Sequence, residues 1–323
     1  SDSKAAAGNG GAVYNLSTVN MSGGTSSGCS SGYGRGIDNR KTFNFTGGTI
    51  TKCQASTWGG GLYNTTDAAV AKIDGGEISA CTGSYGAGIS VYNGTVTLNS
   101  GSVSTDKGNP IAKANNTANT CTININGGSV LSSETGGSAI SFDVKGVTLN
   151  VNGGTIEAQG SSAYAVYNNQ GTVNIEDGTF TSAYRVGYVK MGSINVYGGL
   201  LQGNDGIYVV SSTAAETKLI IKGGEINLTG SGSDCAFFYT NSGSDKIITL
   251  DVQGGKFKSV GNIFANTSDK TSQGSGMPSG SVKKISGGLF SAYTGAMSTM
   301  ASNTGCKFSD SKNADGYYEV IPK

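Results

Sequence analysis

The feature that most constrains this chain is a glycine that returns at a nearly constant interval. Each of these glycines closes a Gly-Gly or X-Gly pair, and the ten intervals between Gly24 and Gly288 cover 264 residues, a mean of about 26. A period of this length predicts a solenoid, in which each repeat packs only against its neighbours. The closing glycines are Gly24, Gly48, Gly76, Gly101, Gly128, Gly154, Gly178, Gly199, Gly224, Gly255 and Gly288.

Hydrophobic residues near each glycine alternate with polar ones, which is typical of a half-buried strand and not of a helix. Apolar residues stand three and five positions before the glycine, as in Phe43 and Phe45. A third apolar position follows a variable loop, so each repeat predicts three short strands. Two positions after the glycine we predict one inward column, formed by Ile50, Ile78, Val103, Val130, Ile156, Phe180, Leu201, Ile226, Phe257 and Phe290.

Three strands per repeat predict an all-β fold, a single-stranded parallel β-helix of about eleven coils whose strands form parallel ladders about 4.8 Å apart. We predict the solenoid over residues 1–291 and a small C-terminal cap over residues 292–323. The cap is predicted to contain a short helix or turn and a hairpin with strands at 307–309 and 317–320. The N-terminus shows no comparable cap, as expected of a segment cut from a longer chain.

Composition excludes several classes of function. The chain has 22 Lys and Arg against 21 Asp and Glu, a net charge of +1, and no basic run. Nucleic acid and anionic membrane surfaces are therefore not expected partners. No stretch approaches the roughly 20 apolar residues of a membrane span, so we predict no membrane insertion. A surface rich in Gly, Ser, Thr and Asn suits an extracellular or wall-attached bacterial protein, and we expect a monomer.

The repeats resemble the right-handed parallel β-helix of the pectin-lyase-like superfamily, and more closely the Gly-Gly-Thr-Ile repeat surface proteins of Gram-positive bacteria. The segments GGAVYN at 10–15 and GGGLYN at 59–64 also resemble the Gly-Gly-Ala-Ile repeats of polymorphic outer-membrane adhesins. The resemblance covers residues 10–293 and implies a right-handed coil. It leaves function open, because this superfamily includes lyases, hydrolases and adhesins.

Catalytic residues are scarce in this chain. It has no His, which removes Ser-His-Asp and Cys-His catalysis and His-ligated metals. The nearest approach to a catalytic group is Glu176 and Asp177, with Glu157 one coil away and Arg185 later in the same coil. Neighbours on a strand point to opposite faces and Asp177 occupies a glycine corner, which favours a role in the turn over a glycosidase pair. We therefore expect no catalysis, with a polysaccharide lyase or hydrolase as the alternative.

The cysteines predict no disulfide framework and no metal site. Cys29, Cys53 and Cys81 each lie five residues after a corner glycine, which places them in one column. An odd, in-register column pairs poorly, so we predict buried, reduced thiols. Cys121 is also predicted to lie inside. Four convergent ligands cannot come from one column, so no metal or other cofactor is expected.

Aromatic residues recur near the third strand of the repeats, namely Tyr14, Trp58, Tyr63, Tyr167 and Tyr239. Such rings can stack on sugars, but tyrosine is also an ordinary strand former. We favour the structural interpretation for these residues.

Polar residues on the strand before the glycine repeat more regularly than packing requires. The candidate ligand-binding residues are Thr122, Thr148, Thr172, Asn124, Asn126, Asn150, Asn152, Asn174 and Asn195. In the structural interpretation, Thr favours strands and Asn amides bond along the ladder. In the functional one, the row binds a polysaccharide or surface glycan weakly at many points. We expect a non-catalytic structural or adhesive protein contacting glycans or host proteins, and the remote alternative is an ice-binding solenoid.

Overall fold

The protein is an all-β parallel solenoid in the computed structural model, with one short helix among the described residues. The structure describes residues 2–4, 11–31, 36–113, 119–212, 214–229, 235–240, 246–258, 262–266 and 279–323, with the backbone alone at 2–4, 31, 235–240 and 262–266. These residues form about eight turns. The count is lower than the predicted eleven. The chain divides into two compact units, 1–167 and 168–323.

Unit 1 contains the first eighteen strands, of which the last crosses the division between the units. They are β1 (Asp2–Lys4), β2 (Val13–Asn15), β3 (Thr18–Met21), β4 (Thr25–Ser31), β5 (Ile37–Asn39), β6 (Thr42–Phe45), β7 (Thr49–Thr51), β8 (Gln54–Ala55), β9 (Leu62–Asn64), β10 (Val70–Ser79), β11 (Ile89–Val91), β12 (Gly94–Thr105), β13 (Ile111–Lys113), β14 (Cys121–Ile125), β15 (Ser129–Ser132), β16 (Ile140–Phe142), β17 (Val147–Ala158) and β18 (Tyr164–Asn169).

Each coil has three positions, which we name by their place relative to the glycine. The corner strand precedes the glycine, the second strand follows it, and the third strand comes after a loop. In unit 1 the corner strands stack as parallel neighbours from β3 through β6, β10, β12 and β14 to β17. The third strands stack in the same way from β2 through β5, β9, β11 and β13 to β16. The ladders therefore run coil on coil, as the repeat predicts.

Unit 2 continues with β19 (Thr172–Lys190), β20 (Ser193–Val196), β21 (Leu200–Val210), β22 (Thr217–Ile221), β23 (Glu225–Leu228), β24 (Cys235–Thr240), β25 (Ile248–Val252), β26 (Lys256–Lys258), β27 (Asn262–Asn266), β28 (Val282–Ile285), β29 (Leu289–Phe290), α1 (Gly295–Ser302), β30 (Cys306–Phe308) and β31 (Tyr318–Pro322). Its corner strands stack in parallel from β19 through β20, β22 and β25 to β28.

The predicted inward column is confirmed within each unit. In unit 1 Ile50, Ile78, Val103, Val130 and Ile156 are paired in register and fully buried. In unit 2 the column runs Phe180, Leu201, Ile226, Phe257 and Phe290. Alternation along the strand places these apolar side chains inside and their polar neighbours outside.

The corner glycines are required by backbone geometry. Gly128 has a φ of +75°, and a Cβ placed there would lie 2.6 Å from the Gly101 carbonyl oxygen. Any other residue would be strained in the left-handed region and would also collide with the preceding coil. The repeated glycine thus allows successive coils to approach at strand spacing.

The C-terminal residues fold as the sequence predicts, with small shifts in bounds. Helix α1 begins after Thr294, whose side chain accepts a hydrogen bond from the Met297 N–H, and it buries Met297 and Met300. Strands β30 and β31 pair antiparallel, and β31 also pairs antiparallel with β29, the final second strand. The hairpin therefore covers the edge that the last coil would otherwise expose. Among the described residues, no helix is long and apolar enough to cross a membrane.

Candidate functional site

The Thr/Asn face is the outward face of the corner strands, and in unit 1 its amides bond along the stack. The Asn152 Nδ2 donates to Asn126 Oδ1 at 2.8 Å, and the Asn126 Nδ2 donates to Asn99 Oδ1 at 2.7 Å. A second column, two residues earlier on each strand, joins Asn150 to Asn124 at 3.0 Å. These bonds hold the exposed amides in fixed orientations at the strand spacing of about 4.8 Å.

The end of the first column that is nearest the N-terminus is charged. The Asn99 amide donates to Asp74 Oδ1 at 2.6 Å, and Lys72 Nζ lies 3.0 Å from Asp74 Oδ2. The hydrogen bond from Asn99, followed by the lysine, lowers the pKa of Asp74. The uncharged part of the face in unit 1 therefore extends from Asn99 towards Asn152.

In unit 2 the same face is short. The Asn195 amide donates to Asn174 Oδ1 at 3.0 Å, and Thr172 is paired in register with Ser193. The next residues in the Asn195 column are Ile220 and Asp251. The predicted ligand-binding residues are thus brought into ladders within each unit, and the regular amide row stops after two members in unit 2.

Three of the four weak catalytic candidates are held by local partners. In unit 1, Glu157 Oε1 accepts a hydrogen bond from Gln159 Nε2 at 2.8 Å. In unit 2, Asp177 Oδ1 accepts from the Gly178 N–H at 2.7 Å, as a turn residue does, while Glu176 is exposed. Arg185 pairs with Asp205 on the neighbouring coil, with Nε 3.4 Å from Oδ2. Among the described residues, no three Cys, Asp or Glu side chains are grouped as a metal ion would need.

The cysteine column lies inside unit 1, as predicted. Cys29, Cys53 and Cys81 form no disulfide bond and are fully buried. The hydrogen bond between Cys53 and Cys81, together with burial, raises the pKa of the Cys53 thiol. Cys121 is also free and buried, and burial raises its pKa to about 11. The Cys53 and Cys121 thiols are therefore protonated at neutral pH and poorly suited to nucleophilic chemistry, whereas the hydrogen bond with Cys53 lowers the pKa of the Cys81 thiol.

Lys113 is a buried cation that the sequence analysis did not single out. Its side chain is 2% exposed, and Nζ donates to the carbonyl oxygens of Asn119 at 3.0 Å and Tyr92 at 3.3 Å. Burial lowers the pKa of this amine. Lys113 stands at the inward end of a third strand, where other repeats have an apolar residue or Asn. This position was the signal in the sequence that could have indicated a buried lysine.

Aromatic side chains gather on and beside the third strands. In unit 1 the Trp58 ring lies 6.0 Å from Tyr63 and 5.9 Å from Tyr92. In unit 2 the Tyr188 and Tyr208 rings meet edge to face at 5.6 Å. The Tyr239 side chain lies outside the described residues. The sequence analysis missed Tyr92, Tyr188 and Tyr208, because each becomes a member of the cluster only through the stacking of coils.

A second asparagine ladder is buried, and the sequence analysis missed it. At the ends of third strands, Asn15 Nδ2 donates to Asn39 Oδ1 and Asn39 Nδ2 donates to Asn64 Oδ1, both at 2.8 Å. Each amide also bonds to backbone, as Asn39 does to the Val70 carbonyl at 3.1 Å. The signal was the repeated Asn after an apolar third strand. Only the stacking of coils shows that these amides satisfy one another in the interior.

Comparison of the chain with protein-family models, with curated proteins and with solved structures found no match. The chemistry of the solenoid faces is therefore the basis for arguing function.

Proposed function

We propose that this protein is a non-catalytic bacterial solenoid, secreted or attached to the cell surface, that contacts glycans through its Thr/Asn face. The observation that carries the proposal is the bonded amide row Asn99–Asn126–Asn152, whose last two members are exposed. The Asn126 amide donates one N–H to Asn99 and accepts a hydrogen bond from Asn152 through its oxygen. Its second N–H is available to a ligand. The row is ordered before binding, so little side-chain entropy is lost when a ligand adds.

Glycans suit this face better than charged polymers do. The face between Asn99 and Asn152 carries amides and hydroxyls, and the whole chain has a net charge of only +1. Sugar hydroxyls both donate and accept, as these side chains do. Single contacts of this kind are weak, and repetition along a polymer supplies the affinity. The resemblance of the repeats to Gram-positive surface proteins supports the proposed location.

The proposal includes no reaction. Glu157 and Asp177 are occupied by neighbouring donors, and Arg185 is paired with Asp205. A polysaccharide lyase or hydrolase would need carboxylates convergent on a sugar, and the described contacts of these groups are local. The two other classes, an enzyme and an ice-binding solenoid, serve as alternative outcomes of the test.

A double variant tests the proposal. Asn126→Lys with Asn152→Lys places two like charges on adjacent rungs of the row. We expect binding to insoluble polysaccharides and bacterial cell walls, measured by pull-down, to fall at least tenfold while the melting temperature changes by about 2 °C or less.

The matched control is Gln202→Lys with Asn227→Lys. These residues are paired in register on the second strands of unit 2, so the control adds the same two charges to another face. Equal binding by the Asn126/Asn152 variant and the wild type would overturn the assignment of the face. Release of reducing ends would favour the enzyme, and thermal hysteresis would favour ice binding.

A further inference from the structure

Among the described solenoid strands, tyrosines at the polar positions of the alternation occur on the third strands, while the exposed Tyr197 directly follows corner strand β20. In the described strands, the outward positions of the corner and second strands hold Ser, Thr, Asn, Gln, charged and aliphatic residues, with no Phe, Tyr or Trp. The third strands carry Tyr14 and Tyr63 in unit 1 and Tyr188 and Tyr208 in unit 2. If strand propensity alone placed these rings, they would occur on all three faces, because all three are β-strands. The rings are therefore concentrated on the third strands, where stacking of the coils brings Tyr188 and Tyr208 together.

One group of these rings in unit 2 surrounds a cation. We call it the tyrosine platform, and it consists of Tyr184, Arg185, Tyr188, Asp205 and Tyr208. The Arg185 guanidinium carbon lies 4.6 Å from the centres of both the Tyr184 and the Tyr208 rings. The Tyr188 ring completes the group at 5.6 Å from Tyr208. One cation therefore holds two rings, and a third ring packs against them.

The two charged residues of the platform, Arg185 and Asp205, form an ion pair. The side chains of Arg185 and Asp205 are only 12% and 13% exposed, and their ion pair measures 3.4 Å. The three tyrosines are half-buried, so they form the accessible part of the group. A neutral surface of fixed rings with polar hydroxyl tips does not attract a charged polymer. It matches a molecule that has an apolar face and a hydroxylated rim.

We propose that the tyrosine platform is a second binding site, which takes the pyranose rings of a neutral polysaccharide by stacking on Tyr188 and its neighbours. The C–H groups on one face of a pyranose are apolar and lie on the ring, while its hydroxyls point outwards to the phenol groups and water. The platform is rigid before binding, which reduces the entropy cost. This inference rests on the proposed function, because it names a ligand class and a further site for the same glycan contact.

The test uses Tyr188→Ala in the whole protein, with cellohexaose and chitohexaose as the probes. We expect the affinity for the preferred probe, measured by calorimetry, to fall roughly fivefold or more, the size of the loss of one ring contact. Tyr188→Phe should retain most of the affinity, because the stacking ring remains. The matched control is Tyr318→Ala, because Tyr318 is half-buried and packs under Lys312 at 5.4 Å but lies in the C-terminal hairpin.

The outcomes separate this site from the Thr/Asn face. Wild-type affinity in a folded Tyr188→Ala variant, or an equal loss in Tyr318→Ala, would overturn the platform while leaving the proposed function standing. Loss in Tyr188→Ala alone supports the platform, and a further loss on adding the Asn126/Asn152 changes supports both sites. Binding of no probe by the wild type, on polymers and oligosaccharides alike, would overturn both proposals.

Discussion

Ile156 shows how strongly a single position of this chain is constrained. Its side chain is fully buried beside Val130 of the neighbouring coil, whereas the adjacent Thr155 is exposed. We expect Ile156→Asp to lower the free energy of unfolding by about 4 kcal/mol, because an unpaired charge enters an apolar interior. Chemical denaturation measures the effect, and Thr155→Asp is the control, with an expected change within about 0.5 kcal/mol. Similar unfolding curves for both variants would contradict the inward column.

Asp38 is a buried carboxyl whose ionisation opposes folding. Its side chain is fully buried, Thr65 Oγ1 donates to Oδ1 at 3.2 Å, and Arg40 Nε lies 3.5 Å from the same oxygen. Burial raises the pKa of Asp38 above its ordinary 3.8, and Arg40 offsets this only in part. A folded-state pKa above the unfolded one gives stability that is complete below pH 3.8 and is lost as the pH rises through the folded value.

We therefore expect Asp38→Asn to be more stable than the wild type at pH 7, since it keeps an oxygen for Thr65 and removes the buried charge. The advantage should shrink as the pH falls towards 3.8. Thermal melts between pH 3.5 and 7 measure it, with the exposed Asp67→Asn as the control. An advantage that grows on acidification would show that Arg40 dominates and that the pKa of Asp38 is lowered.

At the scale of elements, two asparagine ladders share one geometry and differ in burial. Asn39 lies in the interior ladder with no exposed surface, and Asn126 lies in the outer one. Asn39→Leu removes the acceptor of one Asn15 hydrogen bond and the donor to the Asn64 amide oxygen and the Val70 carbonyl, so we expect a loss of about 2–4 kcal/mol in unfolding free energy. Asn126→Leu should cost less than about 1 kcal/mol, because water replaces the lost bonds.

Chemical denaturation of both variants measures this difference. Equal costs would mean that the outer row is a structural support of the solenoid. That result would also weaken the proposal that its amides are free to serve a ligand.

The strands themselves differ from expectation at the glycine corner. The repeat predicts two short strands separated by the glycine, but β10, β12 and β17 run through it without a break. Pairing persists at the corner, as between Asp74 and Ser100. A positive φ lets glycine turn the chain while the ladder of hydrogen bonds continues. The pattern of hydrophobic residues does not predict this continuity.

At the scale of the whole molecule, the thiols report whether the solenoid opens. Cys29, Cys53, Cys81 and Cys121 are buried, and Cys306 is partly exposed. Among these five, we expect only Cys306 to react with a thiol reagent in the native protein, and the other four to react after unfolding. Peptide mapping after pulsed alkylation measures each site separately. Rapid native labelling of Cys53 would show that unit 1 opens well below its global unfolding free energy.

Much of this architecture could be predicted from the sequence alone. The glycine period and the alternation around it indicated parallel ladders, the inward column and the buried cysteines, because each of these depends on residues close together in the chain. The C-terminal hairpin was also predictable, since its turn residues are local.

The tertiary structure decided the contacts of the third strands, where the glycine period no longer sets which residues face each other across coils. Several features depend on contacts between residues about one repeat apart. They are the interior Asn15–Asn39–Asn64 ladder, the burial of Asp38 and Lys113, and the tyrosine platform. Loop lengths vary between repeats, so the sequence leaves open which third-strand residues share a rung until the coils are stacked. Hydrogen bonds and burial depend on contacts between successive coils, so the chemistry of the faces is visible only in the folded chain.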